Sequence, residues 1–550
     1  MDVRRGCAAE AAARHLPVNG HRRSSGRAEP RVHSLTLWRT LAAVVVLAVS
    51  PAGRVSALQC ADGSAPPCQA SAAHSTPPPN SVAVLYFDNL SADTTDAYLA
   101  DGLTEEVAAR LGDIRRLLVK QASREGVRRL REGSPDYRIS MGRAMAVRYL
   151  VEGSVRRAGP RVRVVARLVN VANGFRAWGE TYDRATTDLL SLQEDIATEV
   201  ATAIAGQLAP AERIALAERP TVNPEAHEHF LRGNYHLAKR SASGLARAVE
   251  EYEAASRLDP KFTRALARVA YAYALNVRYG WSLPGLTRDT MLARATAAAS
   301  RALEQDSSVS DAWMAWGFIR TFSEQRTFAL SPFERALALD PRNSEALGSY
   351  GASLRSLGRD SAARAAMRRS LEIEPGRAVT LHSLALLSFF ERRYDDARRW
   401  VDSSLRVNPE FFLAYLSRTR IRLVLGDAPG ARRDAEAALR LGSADSSLGE
   451  ALLVMVEAQS GDSGAARARL RRLAGALPSI VTHVRERAAE EGLLPAAAFL
   501  SLGDREAAFA FLEHVQPRGA RFWSGLRAPE FDPVRSDPRF QQLVEEARPR

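Results

Sequence analysis

Four acidic side chains are the first residues of this 550-residue chain whose types and spacing could support chemistry. Asp88 follows an apolar run predicted to be a buried strand, and Asp101, Glu105 and Glu106 lie in the helix predicted next. A cluster of carboxylates near one strand end could act as general acid and base. However, Thr104 and acidic residues are also expected where a helix begins, because they cap its free N–H groups and oppose its dipole. We therefore predict no catalytic residue.

The triplet His227-Glu228-His229 has the composition of a zinc-binding helix. Its histidines are two positions apart and so face different sides of a helix, whereas a zinc-binding pair shares one face. The phosphate-binding sequence G-x-x-x-x-G-K-[ST] is absent, as are G-x-S-x-G and C-x-x-C. We therefore predict no metal and no cofactor, and a protein that is not an enzyme.

The net charge of +13 could indicate nucleic-acid binding. Nearly all of the 76 basic residues are arginine, and they are scattered among acidic residues, as Arg368 and Arg369 are beside Glu372 and Glu374. No basic stripe with interleaved aromatic residues is present, which a nucleic-acid groove would need. We therefore do not predict nucleic acid as a partner.

A period of 34 residues organises the middle of the chain. Predicted helix pairs end at Ser307, Pro341, Pro375, Pro409 and Ser443, each 34 residues after the last. Large and small side chains alternate within the pairs, as closely crossing helices require. The residues expected to pack the repeats are Trp313, Gly317, Ala329, Phe333, Ala336, Pro341, Gly351, Ala363, Pro375, Ala385, Ala397 and Pro409. This pattern resembles the tetratricopeptide repeat (TPR), which implies an all-α superhelix that binds protein or peptide.

The array is predicted to span residues 222–515 with about seven helix pairs, followed by a carboxyl-terminal cap at 516–550. The interval from Pro260 to Ser307 is 13 residues longer than one period, which predicts a loop around residues 276–288. The tail from Phe531 to Phe540, with Leu543, resembles the cap that commonly ends such arrays, where a polar outer face closes the stack.

The resemblance also implies where a partner binds, because the first helix of each TPR pair lines the groove. The side chains expected there are Met314, Phe318, Phe322, Arg355, His382, Leu386, Phe389, Phe390 and Arg420. Apolar and aromatic members would anchor a partner, and Arg355 and Arg420 could hold carboxylates. Alternatively, Phe322 and Phe389 simply complete the packing against the neighbouring pair.

A small α/β domain is predicted at residues 81–210. The run from Val82 to Ser91, the segments 100–106 and 147–157, the strand 162–169 and the segment 178–184 occur in an order that resembles the TolB-like amino-terminal domain. That resemblance implies a non-enzymatic domain, which in bacteria precedes TPR arrays. The fold class is therefore predicted to be multidomain, with a small α/β domain followed by an all-α TPR superhelix.

Residues 1–57 have the features of an export signal. Eight arginines precede the apolar run Leu41–Val49, and small residues follow it up to Ala57. Nine apolar residues are too few to span a bilayer, which needs about 20 in a helix. An uncleaved anchor, with membrane contact only through this segment, and a mistranslated leader on a cytoplasmic protein are the alternatives. Residues 58–80 form a proline-rich linker, in which Cys60 and Cys68 could form a disulfide in an oxidising compartment.

Two functions remain open from the sequence. The first is a non-enzymatic TPR adaptor in the bacterial cell envelope, periplasmic or attached to the cytoplasmic membrane, with residues 58–550 outside the cytoplasm and a protein or peptide as partner. The second is a regulatory component that acts with a separate kinase, cyclase or transcription factor.

Export makes a first testable prediction. We expect the mature protein in the envelope fraction, with its amino terminus at or near Leu58, because a signal peptidase cleaves after small residues such as Ala57. Terminal sequencing of protein from fractionated cells measures this. Intact protein recovered from the cytoplasm would contradict export.

Overall fold

The computed structural model describes residues 76–133, 136–322, 329–442, 447–475, 490–515 and 520–549. The predicted leader, all but the last residues of the predicted linker, and the predicted disulfide between Cys60 and Cys68 lie outside the described residues. Residues from Ser75 to the carboxyl end belong to one unit, in which an α/β region precedes a helical array.

The α/β region contains a six-stranded sheet. Its elements in chain order are β1 (Ser81–Val84), β2 (Asp88–Asn89), α1 (Ala97–Asp113), β3 (Leu118–Gln121), α2 (Arg124–Gly133), α3 (Tyr137–Ala144), β4 (Tyr149–Ala158), β5 (Arg161–Asn170), β6 (Arg176–Ala185), α4 (Leu189–Ala205) and α5 (Pro210–Ala217). The strand order is β3-β1-β4-β5-β6, with β2 paired to β4. β1 is parallel to β3 and β4, whereas β4, β5 and β6 are antiparallel. The predicted hairpin between β4 and β5 is confirmed.

Alternation along β5 explains how the sheet builds its core. Val162, Val164 and Leu168 are fully buried, whereas Arg163 and Arg167 between them are exposed, because successive side chains of a strand point to opposite faces. The buried face packs against α1 and α4. Helices α2 and α3 cover the other face beside β1 and β4. The sheet therefore lies between two helical layers.

The start of α1 corrects the capping argument made from the sequence. Asp93 caps a short 3₁₀ turn by accepting from the Thr95 N–H, and the chain continues directly into a helix that begins at Ala97. Thr104 lies inside this helix, where its hydroxyl donates to the Ala100 carbonyl and accepts from the Phe87 N–H. Thr104 therefore ties the segment between β1 and β2 to α1 instead of capping the helix.

The helical array contains eight helix pairs among the described residues. They are α6 (Pro224–Ala238) with α7 (Ala242–Leu258), α8 (Thr263–Tyr279) with α9 (Arg288–Gln305), α10 (Ser310–Arg320) with α11 (Leu330–Leu339), α12 (Ser344–Ser356) with α13 (Asp360–Ile373), α14 (Ala378–Phe390) with α15 (Tyr394–Val407), α16 (Phe412–Val424) with α17 (Ala428–Leu441), α18 (Ser447–Gln459) with α19 (Ser463–Gly475), and α20 (Leu494–Ser501) with α21 (Arg505–Val515). The chain ends with α22 (Ala520–Leu526), a 3₁₀ turn (Pro529–Val534) and α23 (Pro538–Ala547). Among the described helices, none is long and apolar enough to cross a membrane.

The 34-residue period is present in the helices themselves. α12, α14 and α16 begin at residues 344, 378 and 412, and each is a 13-residue helix followed by a 14-residue one. A hydrogen bond also recurs after one period: the Ser370 and Ser404 hydroxyls donate to the carbonyls of Ser344 and Ala378, both at 2.8 Å. Identical spacing, lengths and bonds establish a TPR array.

Most residues predicted to pack the repeats are buried between helices. These are Gly317, Ala329, Phe333, Ala336, Gly351, Ala363, Ala385 and Ala397. Trp313 is partly buried and its indole N–H donates to the Ser307 carbonyl at 2.8 Å. The three prolines, Pro341, Pro375 and Pro409, are exposed in the turns between pairs. They therefore end helices and do not contribute to the core.

The 13 extra residues form less loop than the sequence predicts. α8 and α9 are 17 and 18 residues long, so the insertion lengthens both helices and leaves residues 280–287 as the connection. This connection folds inward, and the Trp281 ring lies 5.5 Å from that of Phe412, at the start of α16. Tyr279 packs on the same ring at 6.0 Å. These aromatic contacts form a bridge from the second helix pair to the sixth.

The close crossing of α10 and α11 makes the second prediction. A Cβ atom at Gly317 would lie 3.0 Å from the Phe333 ring, so we expect Gly317→Leu to lower the free energy of unfolding by about 1–3 kcal/mol, as forced insertions into cores do. Chemical denaturation measures the change. Gly464→Leu is the matched control, because Gly464 is an exposed helical glycine and a Cβ atom there would come no closer than 3.8 Å to a neighbour, the Asp462 carboxylate. Equal effects of the two substitutions would contradict the packing.

Candidate functional site

The first helices of five successive pairs surround a cavity of about 90 Å³ on the inner face of the array. Its wall combines aromatic rings, hydroxyl groups and charged side chains. The residues that line it include Tyr271, Tyr279, Phe318, Phe411, Ser349, Ser353, Ser356, Thr380, Ser383, Arg278, Arg355, Arg377, Glu345, His382 and Leu386. Four residues predicted for the groove thus meet in one place, namely Phe318, Arg355, His382 and Leu386.

The floor of this cavity is a buried carboxylate held by three arginines. Glu345 Oε1 accepts from Arg240 Nη2 at 2.6 Å and from the Tyr271 hydroxyl at 2.9 Å. Its Oε2 accepts from Arg268 Nη1 at 2.6 Å, and Arg377 also pairs with this carboxylate. Burial alone would raise the pKa of Glu345, but Arg377, Arg240 and Arg268 outweigh it and hold the pKa well below its usual range. Glu345 is therefore ionised, and its charge is compensated inside the array.

A second charge network joins the array to the α/β region. Arg268 also pairs with Asp311 at 3.3 Å, and Arg264 lies 3.6 Å from Asp311 and 3.5 Å from Glu106 of α1. Acidic and basic groups therefore alternate without interruption from the cavity floor to the α/β region. Because none of these groups is fully hydrated, displacing one leaves its partner buried and uncompensated.

Two carboxylate pairs lie across the same boundary. Glu105 of α1 faces Glu374, and burial together with that charge raises the pKa of Glu105 from 4.5 to about 7. Burial and the nearby Asp340 likewise raise the pKa of Asp113 to about 6. Close approach is possible because residue 376 is glycine: a Cβ atom there would overlap the side chain of Ser123. The α/β region and the helical array therefore pack closely here, and carboxyl groups from both regions approach one another.

The remaining predicted groove residues are not available on a surface. Met314 is fully buried inside the array, and Phe322 is partly buried beside Phe318, with ring centroids 5.9 Å apart. Phe389 and Phe390 are buried, and the Arg420 guanidinium lies over the Phe389 ring at 4.8 Å. Met314, Phe389, Phe390 and Arg420 are therefore buried within the chain's own contacts, and partner binding at these residues stays a prediction.

The carboxyl-terminal segment covers this second group. The Glu530 carboxylate accepts hydrogen bonds from Arg420 Nε at 2.5 Å and from Arg420 Nη2 at 3.1 Å. Arg420 therefore binds a carboxylate, as predicted, but this carboxylate belongs to the same chain. Sequence reasoning missed Glu530. The signal was its position beside Asp532 in the otherwise apolar stretch 528–534, which suits a segment docked on arginines.

The residues considered for chemistry are dispersed. Asp88 pairs with Arg131, Asp101 with Arg124, and Glu106 with Arg264. Within the described residues, no group of three or more His, Cys, Asp or Glu side chains could hold a metal ion.

The two histidines of the His-Glu-His triplet have separate surroundings. His227 is buried, and burial lowers its pKa to about 4, so the ring is neutral. His229 instead contacts Glu251, with Nδ1 at 2.6 Å from the carboxylate. Glu228 lies between them in the sequence and accepts from Arg232 at 2.7 Å. Each residue of the triplet therefore makes a separate packing or polar contact on α6.

No protein-family model matches the chain. The chain is 30% identical over 237 residues to the Rhizobium meliloti (strain 1021) protein named "Putative adenylate cyclase 3". The match covers 42% of this chain and 39% of that protein. The chain therefore spans well under two thirds of the length of this curated relative.

Several solved structures of repeat proteins are similar to parts of the chain. Pseudomonas aeruginosa PilF is 22% identical with a TM-score of 0.31, covering 38% of this chain and 91% of that one. PilW, described as a type IV pilus biogenesis factor, is 20% identical with a TM-score of 0.32 and covers 39% and 94%. A TPR protein from Parabacteroides merdae is 17% identical with a TM-score of 0.29 and covers 53% and 98%. These TM-scores are low, and the helical array is identified as a TPR array by its 34-residue spacing and its helix packing.

The Glu105–Glu374 pair makes the third prediction. Because folding raises the pKa of Glu105 from 4.5 to about 7, the unfolded chain releases this proton at lower pH, and stability falls as pH rises between those values. We expect Glu105→Gln to raise the free energy of unfolding by about 1–3 kcal/mol at about pH 8 and to change it little near about pH 4.

Denaturation of both proteins across this pH range measures the difference. The matched control is Glu436→Gln, which makes the same change at an exposed position of α17. A gain of the same size at both pH values would show that the ionisation of buried Glu105 is not its cause.

Proposed function

We propose that the chain is a non-enzymatic scaffold whose inner face binds a segment of a partner protein. The observation that supports this is the cavity on that face, which five first helices line with aromatic rings, hydroxyl groups and arginines. A repeat array needs its second helices for packing, which leaves the inner surface of the first helices for recognition. A short peptide whose side chain enters the cavity fits this arrangement of apolar walls and a few convergent polar groups.

The chemistry of the cavity favours a peptide over a metal or a cofactor. Ser349 and Ser353 offer hydroxyl groups on one side, and Thr380 and Ser383 on the other, while Phe318 supplies an apolar wall. Ser353 and Ser383 donate to the Ser349 and Val379 carbonyls of their own helices, both at 2.9 Å, so their oxygens remain as acceptors for peptide N–H groups. The three arginines of the floor are balanced by Glu345, Asp311 and Glu374, so the floor does not demand a counter-ion.

We propose further that the α/β region is a TolB-like domain and that the chain functions in the bacterial cell envelope. The order of motifs between Val82 and Arg184 supports the first statement. The basic leader and its short apolar run support the second, with the chain periplasmic or attached to the cytoplasmic membrane. In this role the α/β region braces the inner helices through Arg264 and Asp311.

A regulatory function in a cyclic-nucleotide system is the second candidate. The 30% identity over 237 residues to a protein named as an adenylate cyclase favours it. In that role the scaffold would bind a separate cyclase, kinase or transcription factor. Deleting the gene would then change the cellular concentration of cyclic AMP, whereas the purified chain with ATP and Mg²⁺ would make none. Cyclic AMP formed by the purified chain would overturn the non-enzymatic assignment.

The cavity makes the fourth prediction. Ser353 lines it on α12, and a phenyl ring at this position would fill the space. We expect Ser353→Phe to reduce recovery of the partner in a cross-linked pull-down by about tenfold. Quantitative mass spectrometry measures the recovery, and thermal denaturation checks that the chain is folded.

Ser361→Phe is the matched control, because Ser361 is an exposed serine on α13, the second helix of the same pair. Full recovery with a folded Ser353→Phe chain would exclude the cavity as the binding site. Loss with both variants would mean that the effect is not specific to the inner face.

A further inference from the structure

The carboxyl-terminal segment crosses the inner face on α12, α14 and α16, beside the cavity. Trp523 of α22 packs against the turn at Gly358. Arg527 pairs with Asp360 at the start of α13. Further along, Arg392 Nη1 donates to the Arg527 carbonyl at 2.8 Å. The segment thus contacts two successive helix pairs at the turns between their helices.

Two acidic side chains fix the end of this segment. Glu530 binds Arg420 through both of its oxygens, and the two side chains are only 6% and 4% exposed. Asp532 pairs with Arg392 Nη2 at 2.6 Å nearer the surface. Between them Phe531 is buried, with its ring 5.7 Å from that of Phe540. The Phe531 ring therefore packs within the carboxyl-terminal tail, and the two flanking carboxylates are the groups that bind arginines of the array.

The receiving surface is built to hold a carboxylate. The Arg420 guanidinium lies over the Phe389 ring at 4.8 Å and the Phe390 ring at 5.9 Å, which fixes its plane and directs its edge toward Glu530. Paired N–H donors in one plane match the two oxygens of a carboxylate. An apolar pair would close the array with similar stability, so the bidentate pair contributes selectivity for an acidic residue.

We propose that the surface formed by Phe389, Phe390, Arg392 and Arg420 is a binding site for an acidic peptide, a Glu-x-Asp sequence in a partner protein, and that the chain's own residues 523–534 occupy it in the absence of that partner. This inference rests on the proposed scaffold function, because it names the class of peptide. The chain's own segment is the template, and charge complementarity selects the occupant: two arginines face two carboxylates.

A labelled peptide with the sequence of residues 523–534 tests the proposal on the full-length chain. Glu530→Gln removes the charge of the internal segment but leaves the receiving surface intact. We expect the peptide to bind this variant about tenfold more tightly than the wild type, measured by fluorescence anisotropy. Adding Arg420→Gln to the same chain should abolish the gain, and a peptide with Gln in place of its Glu should bind about tenfold more weakly.

Three controls keep the result interpretable. Glu545→Gln makes the same charge change at an exposed position of α23 and should leave binding at the wild-type level. If Glu530→Gln does not fold, as judged by circular dichroism, Asp532→Asn replaces it, because the Asp532–Arg392 pair is more exposed. Analytical ultracentrifugation measures the mass of each variant. A dimer that excludes the peptide would show that a second copy of the chain is the occupant, which overturns the proposal.

The remaining outcomes separate this inference from the proposed function. Equal binding of the peptide with and without Arg420, or no binding to a folded Glu530→Gln chain, overturns the inference. If Ser353→Phe still prevents recovery of the partner in that case, the scaffold function stands. If the peptide binds as expected but Ser353→Phe has no effect on the partner, the site on α14 and α16 stands and the cavity does not.

Discussion

The buried carboxylate of Glu345 is the constraint on which the arrangement of the molecule depends. A carboxylate inside a protein is tolerated only where opposite charges and hydrogen bonds replace water. Its arginines come from positions 105 and 77 residues earlier and 32 residues later in the chain. They hold the α6–α7 connection, α8 and the start of α14 at fixed distances from α12. Because Arg268 also binds Asp311, and Asp311 lies beside Arg264 and so near Glu106, the position of the α/β region is set by the same network.

The parts of the structure that the sequence could predict are those that depend on neighbouring residues. The period of 34 is visible in the sequence because each helix pair repeats the same local packing, and α12, α14 and α16 begin 34 residues apart. The hairpin of β4 and β5 is visible because its buried valines alternate with arginines. The start of α1 was misplaced because Asp93 caps a preceding turn, which moves the beginning of the helix to Ala97.

The site was only partly predictable because it is assembled from distant segments. Phe318, Arg355, His382 and Leu386 share a cavity since the first helices of neighbouring repeats lie side by side, and Phe318 and Leu386 occupy equivalent positions two periods apart. No local pattern shows that Arg420 meets Glu530, 110 residues away. Arginine makes such pairings common in this chain: Arg116 alone binds Glu212 and the carbonyls of Ala205 and Gln207. A lysine there has a single ammonium group and could not make all of these contacts in one plane.

The bridge between Trp281 and Phe412 gives the array an unusual mechanical character. An open solenoid behaves as a spring, because a small rotation at every repeat adds up to a large extension. Here the lengthened second pair reaches across the turn to α16, and the Asn408 amide donates to the Lys239 carbonyl on the same side. Any extension must first separate these contacts together, so the middle repeats resist pulling as a closed ring does. The repeats after α17 are held in the same way, because extending them must first separate Glu530 from Arg420 and Arg527 from Asp360.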